Sequence, residues 1–237
     1  MSSNAIDLTD LDALKATLSK DNLKKQLQAI NDLSLIEEAG DQALIDFVRL
    51  GMQGRPSAAH GSAYQSLYKS SSEAAKLFIA QEAPSGLMTP KSEQDVDYGD
   101  LQQFLIKRDY QAADKLTTQK LCELAGERAV QRKWVYFTEV SQFSVTDLQT
   151  IDVLWRLYSE DKFGWSKQHE LWMRLGQDWE RLWTQLIWKS SEGKWTRYPG
   201  EFIWDLTAPV GHLPLSNQLR GVRMMDSLLS HPAWDKA

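Results

Sequence analysis

One cysteine, Cys122, is all the thiol this chain of 237 residues carries, so no intramolecular disulfide is available to it. Its four histidines stand apart at His60, His169, His212 and His231, and no second cysteine joins them in a zinc-ligand spacing. A reducing, cytoplasmic setting is expected. No apolar run reaches the length of a membrane-spanning helix, and the first twenty residues carry Asp7, Asp10 and Asp12 instead of a basic start and an apolar core. No membrane span, secretion signal or organelle-targeting segment is therefore expected. The formal charge of -5 gives no concentrated basic surface, which argues against a nucleic-acid partner. Also missing are a nucleophile elbow, a Walker loop, a dinucleotide glycine fingerprint, a His-Glu-x-x-His pair and a calcium loop. The chain offers no standard catalytic site.

Tryptophan is absent from the first 133 residues, yet ten tryptophans follow from Trp134 onward. This asymmetry points to two units, 1–84 and 85–237, with a linker near 83–90 where Pro84, Gly86 and Pro90 interrupt helical hydrogen bonding. The first unit reads as short amphipathic helices. Leu11, Leu14 and Leu18 share a face after a Thr9 cap, and Leu23, Leu27 and Ile30 share another after Asp21. Ala43, Leu44, Phe47 and Val48 form a third stripe. Its paired-helix rhythm resembles an armadillo or HEAT unit, with too few copies for a solenoid.

In the second unit, helical spacing links Ala112, Ala113, Leu116, Leu121 and Leu124 up to Gly126. Thr146 is expected to cap a helix bearing Leu148, Ile151, Leu154 and Trp155, and Ser166 another bearing Leu171 and Trp172; a last helix is expected from about 215 to 229. Strand signals are sparse, so the fold class is all-α. Between Trp188 and Pro214 the periodicity stops, although Trp195, Tyr198, Phe202 and Trp204 crowd that loop. Large rings on a loop lose the stabilisation of burial unless something covers them.

Two features carry chemistry. Tyr136, Phe137, Val140, Phe143, Trp195, Tyr198, Phe202 and Trp204 form an aromatic and aliphatic collection that suits either a core or a ligand pocket. Arg220 and Arg223, after Asn217, lie on one face of the final helix, and two guanidinium forks suit two carboxylates. Together they fit a flat apolar dicarboxylate such as a porphyrin. Covering roughly 300–400 Å² of such a ring is worth about 7–10 kcal/mol before association costs. Fatty acid, bile pigment and peptide stay open on these grounds.

The runs Lys120-Leu121-Cys122-Glu123-Leu124-Ala125-Gly126, Trp134-Val135-Tyr136-Phe137-Thr138-Glu139-Val140, Phe163-Gly164, Trp195-Thr196-Arg197, Trp204-Asp205-Leu206, Gly211-His212-Leu213-Pro214-Leu215 and residues 217–223 resemble the genomes-uncoupled-four family of cyanobacterial type. The resemblance implies an N-terminal helical bundle followed by a cupped-hand tetrapyrrole-binding domain with long aromatic loops. It implies a non-enzymatic regulator of magnesium chelatase, the enzyme that inserts magnesium into protoporphyrin IX in chlorophyll biosynthesis. The implied ligands are protoporphyrin IX and magnesium protoporphyrin IX, with no permanently bound cofactor. The implied partner is the large porphyrin-binding subunit of the chelatase, and peripheral association with photosynthetic membranes is compatible with this reading. By the same resemblance Phe137, Val140 and Phe143 line an apolar palm, Trp195 and Tyr198 sit on a rim loop, and Asn217, Arg220 and Arg223 form the polar end of the last helix. The rival readings are a helical protein-interaction scaffold and a haem or bilin enzyme with His212 as its axial ligand.

Overall fold

The computed structural model describes residues 8–215 and 222–235. Among them every regular element is helical, and the only strand-like feature is an isolated antiparallel bridge between Lys189 and Trp195. The chain divides into two compact units, Met1–Thr89 and Pro90–Ala237.

The first unit holds α1 (Leu8–Leu18), α2 (Leu23–Leu33), α3 (Glu37–Gln53), α4 (Ala58–Lys69) and α5 (Glu73–Gln81). Helix α2 packs on α1 and α4, while α3 packs on α4 and α5. The stripe of Ala43, Leu44, Phe47 and Val48 is buried, as its spacing predicts. Helix α1 already begins at Leu8, so Thr9 lies inside it. Asn22, not Asp21, caps α2: its backbone is extended, and its side chain accepts a hydrogen bond from the Lys25 N–H at 3.0 Å.

The second unit holds α6 (Gly99–Ile106), α7 (Tyr110–Leu124), α8 (Glu127–Arg132), α9 (Phe137–Val140), α10 (Val145–Leu157), α11 (Trp165–Arg174), α12 (Trp179–Gln185) and α13 (Val222–Leu229), followed by a 3-10 turn, Pro232–Trp234. Leu148, Ile151, Leu154 and Trp155 of α10 are all buried. Its cap is Ser144 rather than Thr146: the Ser144 hydroxyl accepts from the Asp147 N–H at 2.9 Å and donates to the Asp147 carboxylate at 2.5 Å. Thr146 instead sits in the first turn and bonds to Glu93. Helix α11 starts from Gly164, and Ser166 turns its hydroxyl and N–H to the buried Asp152 carboxylate at 2.7 and 2.8 Å. The last helix is described from Val222, and residues 216–221 of the expected span lie outside the described residues.

The aromatic loop after α12 is anchored at Trp188 and Phe202, both buried, while Tyr198 stays exposed. Trp188 is fully buried and donates its indole N–H to the His212 carbonyl at 2.9 Å. The Gln168 amide donates to the carbonyls of Gly211 and Pro214 at 2.9 and 2.8 Å. Side-chain bonds from α11 and ring burial thus replace the missing backbone ladder, which turns a long loop into a fixed wall.

Candidate ligand cavity

Helix α7 has two working faces. Asp109 caps it by accepting from the Ala112 N–H at 3.1 Å. One face enters the core, where Thr117 receives the Trp155 indole N–H at 3.0 Å. The other carries Asp114, Thr118 and Cys122, one turn apart, with Lys115, Gln119 and Glu123 beside them. This stripe forms the wall of a cavity of about 690 Å³. Val130 and Lys133 at the end of α8 close it on one side, and Tyr198 and Leu215 on another.

The walls are held by specific contacts. The Leu215 N–H donates to the Asp114 carboxylate at 2.6 Å, pinning the end of the aromatic loop against α7. Lys133 takes a left-handed conformation (φ 63°) that ends α8 and turns the chain toward α9. There the Arg132 guanidinium donates to Glu139 at 2.6 Å and lies over the rings of Tyr136 and Trp134, at 4.2 and 4.7 Å from their centroids. Glu139 also accepts from the Tyr136 N–H at 2.7 Å, so α9 is fixed at its start. Tyr198 is braced edge-on by Trp204, whose indole N–H donates to the Pro199 carbonyl at 3.0 Å.

The expected site residues fall in several places. Tyr198, 49% exposed, lines the cavity. Phe137, 39% exposed on α9, lies under the Arg223 guanidinium at 5.4 Å from its ring centroid, and α9 packs on α13. Phe137 and Arg223 are thereby brought together. Val140 and Phe143 are buried in the core beneath α9 and offer little surface to a ligand. Trp195 belongs to a row of indoles, with its ring 4.8 Å from that of Trp183 and tilted 59° to it, and Trp183 lies 6.2 Å from Trp179. The Lys189 ammonium sits 5.2 Å from the Trp195 centroid. Asn217 and Arg220 lie outside the described residues.

Spacing analysis missed the α7 wall. Cys122 is only 3% exposed, as a small buried hydrophobe would be, yet it also lines the cavity. Burial pushes its thiol up from the ordinary range, keeping it protonated and unreactive. Burial likewise raises the Tyr198 phenol, helped by the Asp114 charge, so this rim group is a neutral hydroxyl. His212 cannot serve as an axial ligand in this arrangement. Its Nδ1–H donates to the Leu186 carbonyl at 2.6 Å, its Nε2 accepts from the Ile203 N–H at 3.2 Å, and burial lowers its basicity. Both ring nitrogens are in use. Among the described residues no cluster of three or more His, Cys, Asp or Glu side chains could hold a metal ion, and no helix is long and apolar enough to cross a membrane.

Among the described residues the regular elements are all helical, and the second unit carries a cavity with Tyr198 on its wall, so in class this is an all-helical protein with a candidate ligand cavity. Residues 91–232 match the family model described as GUN4-like, and residues 2–84 match the ARM-like repeat domain of the GUN4 N-terminus. The chain belongs to the GUN4 family, in its cyanobacterial type. A Ycf53-like protein of Synechocystis sp. is 43% identical over 228 residues, covering 96% of this chain and 97% of that one. The chloroplastic tetrapyrrole-binding protein of Arabidopsis thaliana is 37% identical over 145 residues, covering 58% of this chain and 55% of its own length. A solved structure of GUN4 from Chlamydomonas reinhardtii superposes with a TM-score of 0.59 at 39% identity, covering 63% of this chain and 95% of that chain.

Proposed function

We propose that residues 85–237 bind protoporphyrin IX and magnesium protoporphyrin IX, and that the protein raises the activity of magnesium chelatase by delivering the first or accepting the second. The observation that carries this reading is the cavity against α7, whose volume of about 690 Å³ falls in the range used for small-molecule ligands. The name of the Arabidopsis relative, a tetrapyrrole-binding protein, supports the ligand class. Tyr198 and Leu215 supply apolar contact, and Lys115 and Lys133 supply positive charge at the cavity wall. Phe137 and Arg223 extend this surface, with Val140 and Phe143 seating α9 from beneath and Trp195 steadying the loop that carries Tyr198. Arg220 and Asn217, which lie outside the described residues, are assigned the polar end by the family resemblance. The protein is an accessory, not an enzyme. ATP-driven metal insertion belongs to the chelatase, whose large porphyrin-binding subunit is the partner, in the cytoplasm or at the surface of photosynthetic membranes. No cofactor need stay bound.

A chelatase assay tests this directly. Adding the protein should speed magnesium insertion most when porphyrin or magnesium is limiting, and the isolated chain should insert none. No effect on the complete chelatase under any substrate regime would refute the partner assignment. Chelation by the chain alone would refute the accessory role.

Replacing Arg220 and Arg223 together by alanine should weaken protoporphyrin binding by about tenfold or more, since charged hydrogen bonds contribute about 1.5–3 kcal/mol each when shielded and less at an open rim. Protoporphyrin dimethyl ester should bind the unaltered protein about as weakly as the free acid binds the variant. Equal affinity for ester and acid in the unaltered protein would remove the carboxylate argument.

A further inference from the structure

Asp114 is a carboxylate where an apolar ligand would least welcome one. It is 4% exposed, it stands on the cavity face of α7, and one of its oxygens accepts the Leu215 N–H at 2.6 Å. Among the described residues no lysine or arginine pairs with it. The titratable groups that line the cavity with it are Lys115, Cys122 and Glu123 on the same helix, Lys133 at the end of α8 and Tyr198 on the loop. Glu123 is itself paired with Lys120 at 2.9 Å. From the described residues before α13, Leu215 contributes its backbone N–H. Burial therefore outweighs the single hydrogen bond and pushes the Asp114 carboxyl up to about 7.

At neutral pH the empty cavity is thus divided between an acid and a carboxylate at this position. Seating a porphyrin would remove the water that still reaches the charged form through the cavity and would bring two propionates nearby. Lost solvation and like charge act in the same direction, toward the protonated acid. We propose that Asp114 is a proton-linked specificity residue of the cavity: it must hold a proton when an apolar, propionate-bearing tetrapyrrole is seated, so binding takes up a proton there and weakens as the solution becomes alkaline. This rests on the reading of the cavity as a tetrapyrrole site. The sign follows from linkage. Below the titration of the free protein both states are protonated and affinity is level. Above it only the bound state keeps the proton, and affinity falls by up to about tenfold per pH unit.

Protoporphyrin IX titrations of the full chain and of Asp114→Asn, followed by absorbance from about pH 6.5 to about pH 8.5, test the idea. Asparagine has nearly the same shape and keeps an oxygen to accept the Leu215 N–H, but it cannot ionise. The unaltered protein should lose about tenfold or more in affinity across that range relative to Asp114→Asn, a ratio from which the ligand's own ionisation cancels. Identical pH profiles would overturn the proposal. If Asp114→Asn does not fold, calorimetry of the unaltered protein in buffers of different ionisation enthalpy still decides: roughly half a proton or more should be taken up per porphyrin near pH 8, and no uptake would overturn it. Saturable binding with no pH linkage sinks only this inference, whereas no porphyrin binding at any pH sinks the tetrapyrrole reading as well.

Discussion

Changing Gly164 to alanine should lower the thermal midpoint of the C-terminal unit by about 10 °C, from a loss of about 3–5 kcal/mol. Two effects add. Gly164 has φ 132°, a conformation that side-chain-bearing residues rarely adopt, and holding one there costs about 1–3 kcal/mol. A Cβ at this position would also stand 2.6 Å from the Asp152 Oδ1 and 3.1 Å from the Arg156 Cγ. Asp152 is buried and anchors both the N–H and the hydroxyl of Ser166 at the start of α11, so pushing it aside breaks bonds that water cannot replace. The damage should spread to the cavity, because the Gly164 N–H donates to the Leu213 carbonyl at 2.9 Å, two residues before the Leu215 N–H that meets Asp114. Tryptophan fluorescence reports this unit alone, since every tryptophan lies at or after Trp134. Gly200→Ala is the control: a Cβ there meets nothing within 4 Å, and its midpoint should not move. An unchanged midpoint for Gly164→Ala would contradict the packing described around Asp152.

The helices were legible because burial follows spacing: Ala43, Leu44, Phe47 and Val48 of α3, and Leu148, Ile151, Leu154 and Trp155 of α10, are buried as their periodicity demands. Their starts were less so. Ser144 and Thr146 are both hydroxyl residues within reach of a cap, and only the extended backbone at Ser144 selects it. The crowded aromatic loop announces that its rings need cover, and Phe202 is buried with Trp188 at the loop's start, while Tyr198 stays exposed. The cavity itself was not legible. The apolar spacing along α7 does not include Asp114, Lys115, Thr118 or Gln119, and they form a wall with Tyr198 and Leu215, which return from far along the chain; Leu215 is 101 residues from Asp114. No local periodicity encodes such a meeting. Of the residues the family resemblance names, Tyr198 stands on the cavity wall, Phe137 lies under Arg223, and Val140 and Phe143 are buried.

Thr118→Trp should abolish porphyrin binding in practice while leaving the protein folded. Thr118 lies at the middle of the α7 wall, between Asp114 and Cys122, and is partly exposed to the cavity. A threonine is not a strong helix former, so replacing it with tryptophan leaves helix propensity nearly unchanged. The indole would occupy the space the ligand needs. If it denies the ring about a third of the roughly 300–400 Å² of apolar contact, the loss is about 2.5–3.3 kcal/mol, or on the order of 100-fold in affinity. Thr118→Ser, which leaves the cavity open, should bind like the unaltered protein. The decisive measurement is an absorbance titration of protoporphyrin IX with the full chain and these two variants, with helix content checked by circular dichroism. A saturable band shift in the unaltered and Thr118→Ser proteins, lost in a folded Thr118→Trp protein, is the predicted result. Undiminished binding by folded Thr118→Trp, or a shift that never saturates in the unaltered protein, would contradict the placement of a tetrapyrrole in the α7 cavity.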